Sequence, residues 1–264
     1  MTVAPDLTPS TTPRRRTSTG AVMLGLKALL KGSKLLKLGL ISASVAAYAS
    51  LYSWEFGIVL TAAIAIHELG HVLAMRLQGI PTRGLFLIPF FGGVALGNRG
   101  TSARQEVIVA AGGPAFGLLS LLPILLLYAL TGTPKWPAYA GFVAIVNLFN
   151  LLPIGILDGG RILRAILQSV DQRLSWLGTV LGLTFGVALV LVMHAYVLAI
   201  IIAFSAIELV SERRRLIPTL VPMRGGEVAI AFIAYLALGL LFGAVIEGVA
   251  LVEGAGLPRL ILQD

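Results

Sequence analysis

The stretch AIAIHELGHVLAMRL, residues 63–77, places His67, Glu68 and His71 inside an otherwise apolar run. Residues four apart share one face of an α-helix, so both imidazoles can reach one ion while Glu68 lies beside them. Burying these side chains within one turn is costly if they stay unsatisfied. Two of the chain's three histidines fall in this turn, which favours a metal site over isolated packing residues.

The chain has the composition of a membrane protein, because 57% of its residues are hydrophobic, 12% are charged and the mean hydropathy is +0.94. Several apolar runs approach the roughly 20 residues that a helix needs to cross a bilayer. Only helices and closed barrels satisfy every backbone polar group in lipid, and runs of this length favour helices. We therefore predict an all-α fold, a polytopic membrane helix bundle in a lipid bilayer.

Seven candidate spans follow along the chain, at residues 36–54, 56–78, 107–130, 137–152, 175–193, 195–210 and 227–250. The stretch LFLIPFFGGVALG, residues 85–97, is too short to cross and contains Pro89, Gly92 and Gly93. We predict that it forms a re-entrant hairpin that enters from the cytoplasmic side. Its open edge can pair with an unwound substrate strand; the alternative is a loop that only plugs the bundle.

The distribution of basic residues predicts the orientation of the spans. Cytoplasmic loops collect Lys and Arg, and a cytoplasmic N-terminus places all but Lys135 and Arg259 of the 20 Lys and Arg residues on that side. The net charge of +8 is therefore a topology signal. Because the basic residues are dispersed among membrane loops, we predict no nucleic-acid partner.

The sequence predicts that the chain consists of three regions. Residues 1–22 are rich in Thr, Ser, Pro and Arg and form a predicted disordered basic tail, with an organellar transit peptide as the alternative. Residues 23–212 form a membrane-embedded core, whose first segment has lysines at helical spacing and is expected to lie on an anionic membrane face. Residues 213–264 form a basic cytoplasmic linker and a C-terminal transmembrane segment.

The two histidines need a third ligand, since a catalytic zinc ion typically takes three protein ligands and leaves one position for water. The chain has no cysteine, so the ligand must be an imidazole or a carboxylate. The candidates at membrane depth are His194, Asp158, Glu208 and Glu247. Asp158 is favoured, because prolines and glycines in NLFNLLPIGILDGGR, residues 147–161, break the helix and let the carboxylate turn inward. The alternative for Asp158 is a helix cap, and for His194 a packing role is favoured.

Four stretches resemble the site-2 protease family of intramembrane zinc metalloproteases: HELGH at 67–71, GIPTRGLFLIPFFGGVAL at 79–96, AAGGPAFG at 110–117 and NLLPIGILDGGR at 150–161. The resemblance implies a metalloprotease core of six helices, to which 227–250 adds a further span. It also implies site roles, with one Zn²⁺ per chain bound by His67, His71 and Asp158 and with Glu68 as the catalytic acid and base.

Two asparagines precede the last motif. Asn150 matches the family motif, so a role in holding the scissile carbonyl or its oxyanion stands beside simple hydrogen bonding between helices. For Asn147 hydrogen bonding between helices is the favoured interpretation.

The resemblance implies hydrolysis of peptide bonds within or near the transmembrane segments of membrane proteins, as in regulated intramembrane proteolysis. A catalytically inactive scaffold is one alternative, although all four motif residues are present. A metal transporter is another, but transport needs no glutamate at position 68 and usually uses sites related by repeats.

We expect a multi-pass protein of a bacterial cell membrane, with an organellar membrane as the alternative. The sequence predicts no particular oligomeric state.

Overall fold

The computed structural model describes residues 34–88, 92–97, 100–193 and 220–255, with isolated positions at 199, 202, 203 and 206. Contacts divide the chain into residues 1–39 and 40–264, and the described part of the first unit is the beginning of one helix. The predicted tail, most of the lysine-rich segment and nearly all of the candidate span 195–210 lie outside the described residues.

The described residues form seven helices and one β-hairpin. In chain order these are α1 Lys34–Ala49, α2 Trp54–Leu77, β1 Thr82–Ile88, β2 Gly92–Gly97, α3 Ala103–Thr131, α4 Lys135–Asn150, α5 Asp158–Val170, α6 Gln172–Met193 and α7 Gly225–Ala250. Four of the described helices, α2, α3, α6 and α7, are long and apolar enough to cross a membrane. The predicted helical membrane bundle is confirmed.

Helices α2 and α3 form the central pair. The side chain of Ser53 caps α2 by accepting a hydrogen bond from the Phe56 amide at 3.2 Å, and Ser102 caps α3 in the same way. A Cβ atom added to Gly112 on α3 would lie 2.8 Å from the carbonyl oxygen of Gly70 on α2. The two backbones therefore touch, as small residues permit in membrane helix pairs.

The predicted hairpin is an antiparallel pair in which Leu85 faces Ala95 and Leu87 faces Gly93. Both strands pack against α2, and the side chain of Leu87 is buried in the main hydrophobic core. The hairpin is therefore fixed to the helix that carries the histidines. Pairing with a substrate strand stays a prediction.

The ends of the helices fall on two faces of the bundle. At one face, the amide of Ala103 donates to the Val221 carbonyl at 2.9 Å, and the amide of Val221 donates to Thr101 at 3.1 Å. At the other, Lys135 at the start of α4 binds Glu55 at the start of α2, at 2.7 Å. The segments 100–104 and 220–224 therefore lie together.

Candidate metal centre

Helix α2 brings the three polar side chains of its central turn into the protein interior. His67, Glu68 and His71 are all buried, whereas Leu69 and Leu73 on the opposite side are exposed. This turn of the helix thus presents its two imidazoles and its carboxylate to the protein interior and Leu69 and Leu73 to the outside.

Asp158 reaches the same place as the first residue of α5. A Cβ atom at Gly159 would overlap the Leu151 carbonyl, and one at Gly160 would lie 2.5 Å from the Ile154 carbonyl oxygen. Only glycine lets the first turn of α5 pack this closely on the turn that follows α4. The glycines predicted to break a helix thus begin one, and the sequence prediction missed α5 as an element.

Three potential ligand atoms form a nearly equilateral triangle. Nε2 of His67 lies 3.1 Å from Nε2 of His71 and 3.1 Å from Oδ2 of Asp158, and the third side, from His71 Nε2 to Asp158 Oδ2, measures 3.2 Å. Ligand atoms about 2.0–2.2 Å from a tetrahedral zinc ion lie roughly 3.3–3.6 Å from one another. The triangle matches one face of such a tetrahedron, slightly contracted.

Hydrogen bonds on the far side of each ring decide which nitrogen faces this triangle with a lone pair. The Nδ2 group of Asn147 donates to Val143 at 2.9 Å, so its Oδ1, 2.8 Å from Nδ1 of His67, must accept from that ring. Nδ1 of His71 donates to the Val109 carbonyl at 2.7 Å, because a carbonyl can only accept. In the neutral rings both Nε2 atoms are therefore acceptors.

The donor set fits a divalent cation. Two imidazole lone pairs and one carboxylate oxygen converge in a buried site, and three acceptors at this distance repel one another without a positive charge between them. Imidazole and carboxylate are the ligand types that zinc takes when thiolates are absent. His67, His71 and Asp158 also form the single described group of three residues with this geometry.

Glycines on α3 and the amide of Asn147 shape the surroundings of the triangle. A Cβ atom at Gly113 would overlap the His71 ring and lie 2.6 Å from Nε2 of His67. A Cβ atom at Gly117 would overlap the Asn147 amide. Gly113 and Gly117 of the AAGGPAFG stretch therefore form a wall of the site that has no side chains, and both rings and the amide pack against it.

The second carboxylate oxygen of Asp158, Oδ1, forms an ion pair with Arg161. Arg161 places Nη1 3.4 Å from Oδ1 of Asp158 and donates from Nε to Glu106 at 2.8 Å. Arg161 and Glu106 are partly exposed, whereas Asp158 is buried. This chain of charges links the buried carboxylate to the start of α3 and leaves Oδ2 to face the histidines.

The remaining predicted site residues have different positions. Asn150 is partly buried and donates to the Val146 carbonyl at 3.2 Å, so the described contacts do not join it to the triangle. Glu247 is exposed near the end of α7 and is not part of the group formed by His67, His71 and Asp158. His194 and Glu208 lie outside the described residues.

The contact of Asn147 with His67 is the hydrogen bonding between helices that the sequence predicts for Asn147, but the sequence did not identify His67 as its partner, and it did not predict the ion pair of Arg161 with Glu106. The spacing Asn147-x-x-Asn150 places both asparagines on the same side of a helix, so the sequence carried no signal of which one contacts His67.

The fold and the triangle define a polytopic membrane protein with a His-His-Asp site of the zinc metalloprotease type. A family model described as Peptidase family M50 matches residues 55–134 and 132–193, a range that includes every residue of the triangle. The chain therefore belongs to peptidase family M50, the site-2 protease family.

Curated relatives agree with this assignment. The chain is 30% identical over 152 residues to "Putative zinc metalloprotease sll0528" of Synechocystis, a match that covers 49% of this chain and 40% of the relative. It is 35% identical over 137 residues to "Putative zinc metalloprotease Rip3" of Mycobacterium tuberculosis, covering 47% of this chain and 35% of the relative. "Zinc metalloprotease MJ0392" of Methanocaldococcus jannaschii is 28% identical over 141 residues, covering 52% and 40%. The chain thus spans two fifths or less of these relatives.

Proposed function

We propose that the protein is an intramembrane zinc metalloprotease that hydrolyses peptide bonds within or near transmembrane segments of membrane proteins. The observation that carries the proposal is the triangle of three acceptor atoms, 3.1–3.2 Å apart, beside a buried glutamate. His67, His71 and Asp158 would hold one zinc ion per chain. Zinc in such a site supplies Lewis acidity, which polarises a carbonyl and makes water nucleophilic near neutral pH.

Glu68 is the proposed general base and acid. It follows His67 directly on α2 and is buried, so it can reach a water molecule beside the triangle without being a ligand. In this role its carboxylate takes the proton of the attacking water and passes it to the leaving amine. Asn147 and the Val109 carbonyl keep the two rings in the tautomers that present Nε2.

Asn150 is the proposed contact for the substrate. Its side chain donates to Val146 and has a second amide hydrogen with which to reach a scissile carbonyl or its oxyanion. A substrate helix must unwind before its carbonyl is accessible, because the helical hydrogen bonds occupy the backbone groups. The open edges of the hairpin β1–β2 offer backbone partners for the unwound segment.

The proposed orientation has the N-terminus and the segments 100–104 and 220–224 in the cytoplasm. This places the start of α3 and the end of α2 on the cytoplasmic side. His71 then lies about 10 Å from that end of α2, at roughly 1.5 Å of rise per residue. Water can therefore reach the site from the cytoplasm past the partly exposed ion pair of Arg161 and Glu106. The proposed location is a bacterial cell membrane.

Comparative proteomics of the membrane fraction tests the proposal. Cells that contain the wild-type protein are compared with cells that contain Glu68→Gln, and the expected result is the accumulation of one or more full-length membrane proteins in the variant. Cleaved termini that map within or near a transmembrane segment should be present only with the wild type. Identical membrane proteomes would contradict the protease assignment.

A further inference from the structure

Helix α7 lies beyond the residues that match the family, which end at 193, yet it packs on the helices that build the metal centre. Its contacts are with α4, α5 and α3. Phe242 on α7 has no exposed surface, and Val249 contacts Gly141 on α4. The C-terminal helix is therefore part of the core of the bundle along one face.

One side chain of α7 reaches the turn that leads to Asp158. The hydroxyl of Tyr235 donates to the carbonyl of Leu151 at 2.7 Å. Leu151 is the C-cap of α4, a position at which helix carbonyls lack partners within the helix. The backbone of Gly159 packs on the same carbonyl so closely that a Cβ atom there would overlap it. Tyr235 therefore fixes the carbonyl of Leu151, against which Gly159, the residue after Asp158, packs.

The segment before α7 holds the opposite end of α5. The amide of Met223 donates to the hydroxyl of Ser169 at 3.0 Å, and Ser169 lies in the last turn of α5. Residues 223–235 thus bind the last turn of the 13-residue helix α5 directly through Ser169 and contact its first turn through the carbonyl of Leu151. Because Asp158 is the first residue of α5, a shift of this helix would move the carboxylate relative to the histidines on α2.

We propose that the C-terminal helix sets the position of Asp158, with Tyr235 as the positioning residue. The proposal rests on the metal-binding role proposed above for Asp158. The hydrogen bond from Tyr235 fixes the turn 151–157 before metal arrives, so the ligand-ready geometry exists in the metal-free protein. Without that bond the turn has more than one arrangement, and metal binding must restore the productive one.

The test is the replacement Tyr235→Phe in the full chain, purified in detergent, with Tyr128→Phe as the matched control. Tyr128 lies on α3, and no side-chain hydrogen bond is described for its hydroxyl. Zinc affinity is measured by competition with a chelating dye. The visible spectrum of the Co²⁺-substituted protein is measured as well, because it reports coordination geometry, which a loss of stability alone does not alter.

Tyr235→Phe should bind zinc about twofold to tenfold more weakly, the range that one neutral hydrogen bond produces in an equilibrium constant. Its cobalt spectrum should change, whereas Tyr128→Phe should match the wild type in both measurements. Equal affinity and equal spectra for the two variants would overturn the positioning role of Tyr235. A wild-type protein that binds no zinc would instead remove the metal site itself, so the two failures are distinguishable.

Discussion

The Nδ1 atom of His67 lies 2.8 Å from the Oδ1 atom of Asn147, and the amide of Asn147 is fixed in turn by its bond to Val143. This contact joins α2 to α4. It requires that His67 carry its proton on Nδ1 and turn the lone pair of Nε2 toward Asp158. Asn147, which is not a predicted ligand, therefore controls the tautomer of His67, which is one.

The first prediction follows from this contact. Asn147→Ala should lower zinc affinity by about 10- to 100-fold, as the loss of such outer partners does in other metal sites. The physical reason is that the His67 ring is then free to rotate or to exchange its tautomer. Chelator competition on the purified variant measures the effect.

Asn150→Ala is the matched control, because it removes an asparagine three residues away whose amide donates to Val146. Zinc affinity should stay at the wild-type value in this variant, while cleavage should slow if Asn150 holds the substrate carbonyl. Equal zinc affinities for the two alanine variants would show that Asn147 does not orient His67.

How far the sequence predicts this site depends on the range of each interaction. The spacing of His67 and His71 predicts a shared helix face, since it depends on local geometry alone. Asp158 is predicted less directly, through the helix-breaking residues around it. The bond from Tyr235 to Leu151 leaves no sequence signal, because two positions 84 residues apart meet only through the packing of α7 on α4.

In the fold, too, the sequence predicts what depends on local properties and not what depends on packing between distant residues. Apolar runs predict α2, α3 and α7 to within a few residues, since length and hydropathy decide whether a helix can cross a membrane. They do not predict α5, whose first turn contains Gly159 and Gly160. Glycines disfavour a helix, and close packing on the turn after α4 outweighs that preference.

The second prediction concerns metal content. The purified protein should carry one zinc ion per chain and lose it in His67→Ala, His71→Ala and Asp158→Ala. Because zinc binds only the folded site, an excess of 100 times the Kd should raise the free energy of unfolding by about 2.7 kcal/mol in the wild type. Metal analysis and thermal unfolding with and without zinc measure both effects.

Asp171→Ala is the control for the carboxylate. Asp171 is exposed and accepts a bond from the Arg173 amide at 2.7 Å, so its removal should leave zinc content unchanged. Full zinc occupancy in Asp158→Ala would remove Asp158 from the ligands.

The third prediction tests the wall of the site. Gly113→Ala should cost about 1–3 kcal/mol of stability, the usual penalty of overpacking, because its Cβ would overlap the buried His71 ring. Zinc affinity should fall as well, since the rings must move apart. Gly239→Ala on α7 is the control, because a Cβ there meets no atom within 4 Å. Wild-type zinc affinity in Gly113→Ala would contradict this account of the wall.

The fourth prediction concerns orientation. Reporter fusions after residue 100 and after residue 224 should give the same cytoplasmic signal, because the backbone bonds of Val221 to Thr101 and Ala103 hold these segments together. A fusion after residue 133 should give the opposite signal, since the 29-residue helix α3 separates it from residue 100. A periplasmic signal at residue 100 would reverse the proposed topology.

The last prediction is that Glu68→Gln keeps zinc and the fold but loses cleavage. Glu68 is buried next to His67 and lies outside the triangle of potential ligand atoms, so its replacement leaves all three ligands in place. Glutamine has nearly the same size but cannot take a proton as a carboxylate does, and the rate should therefore fall by at least about 100-fold, the lower end of general acid–base contributions. The measurement is cleavage of a single-span membrane protein by wild type and variant, with zinc determined in both preparations. A metal transporter would tolerate this change, because transport has no leaving amine to protonate. A variant that holds zinc and cleaves at the wild-type rate would contradict the role of Glu68.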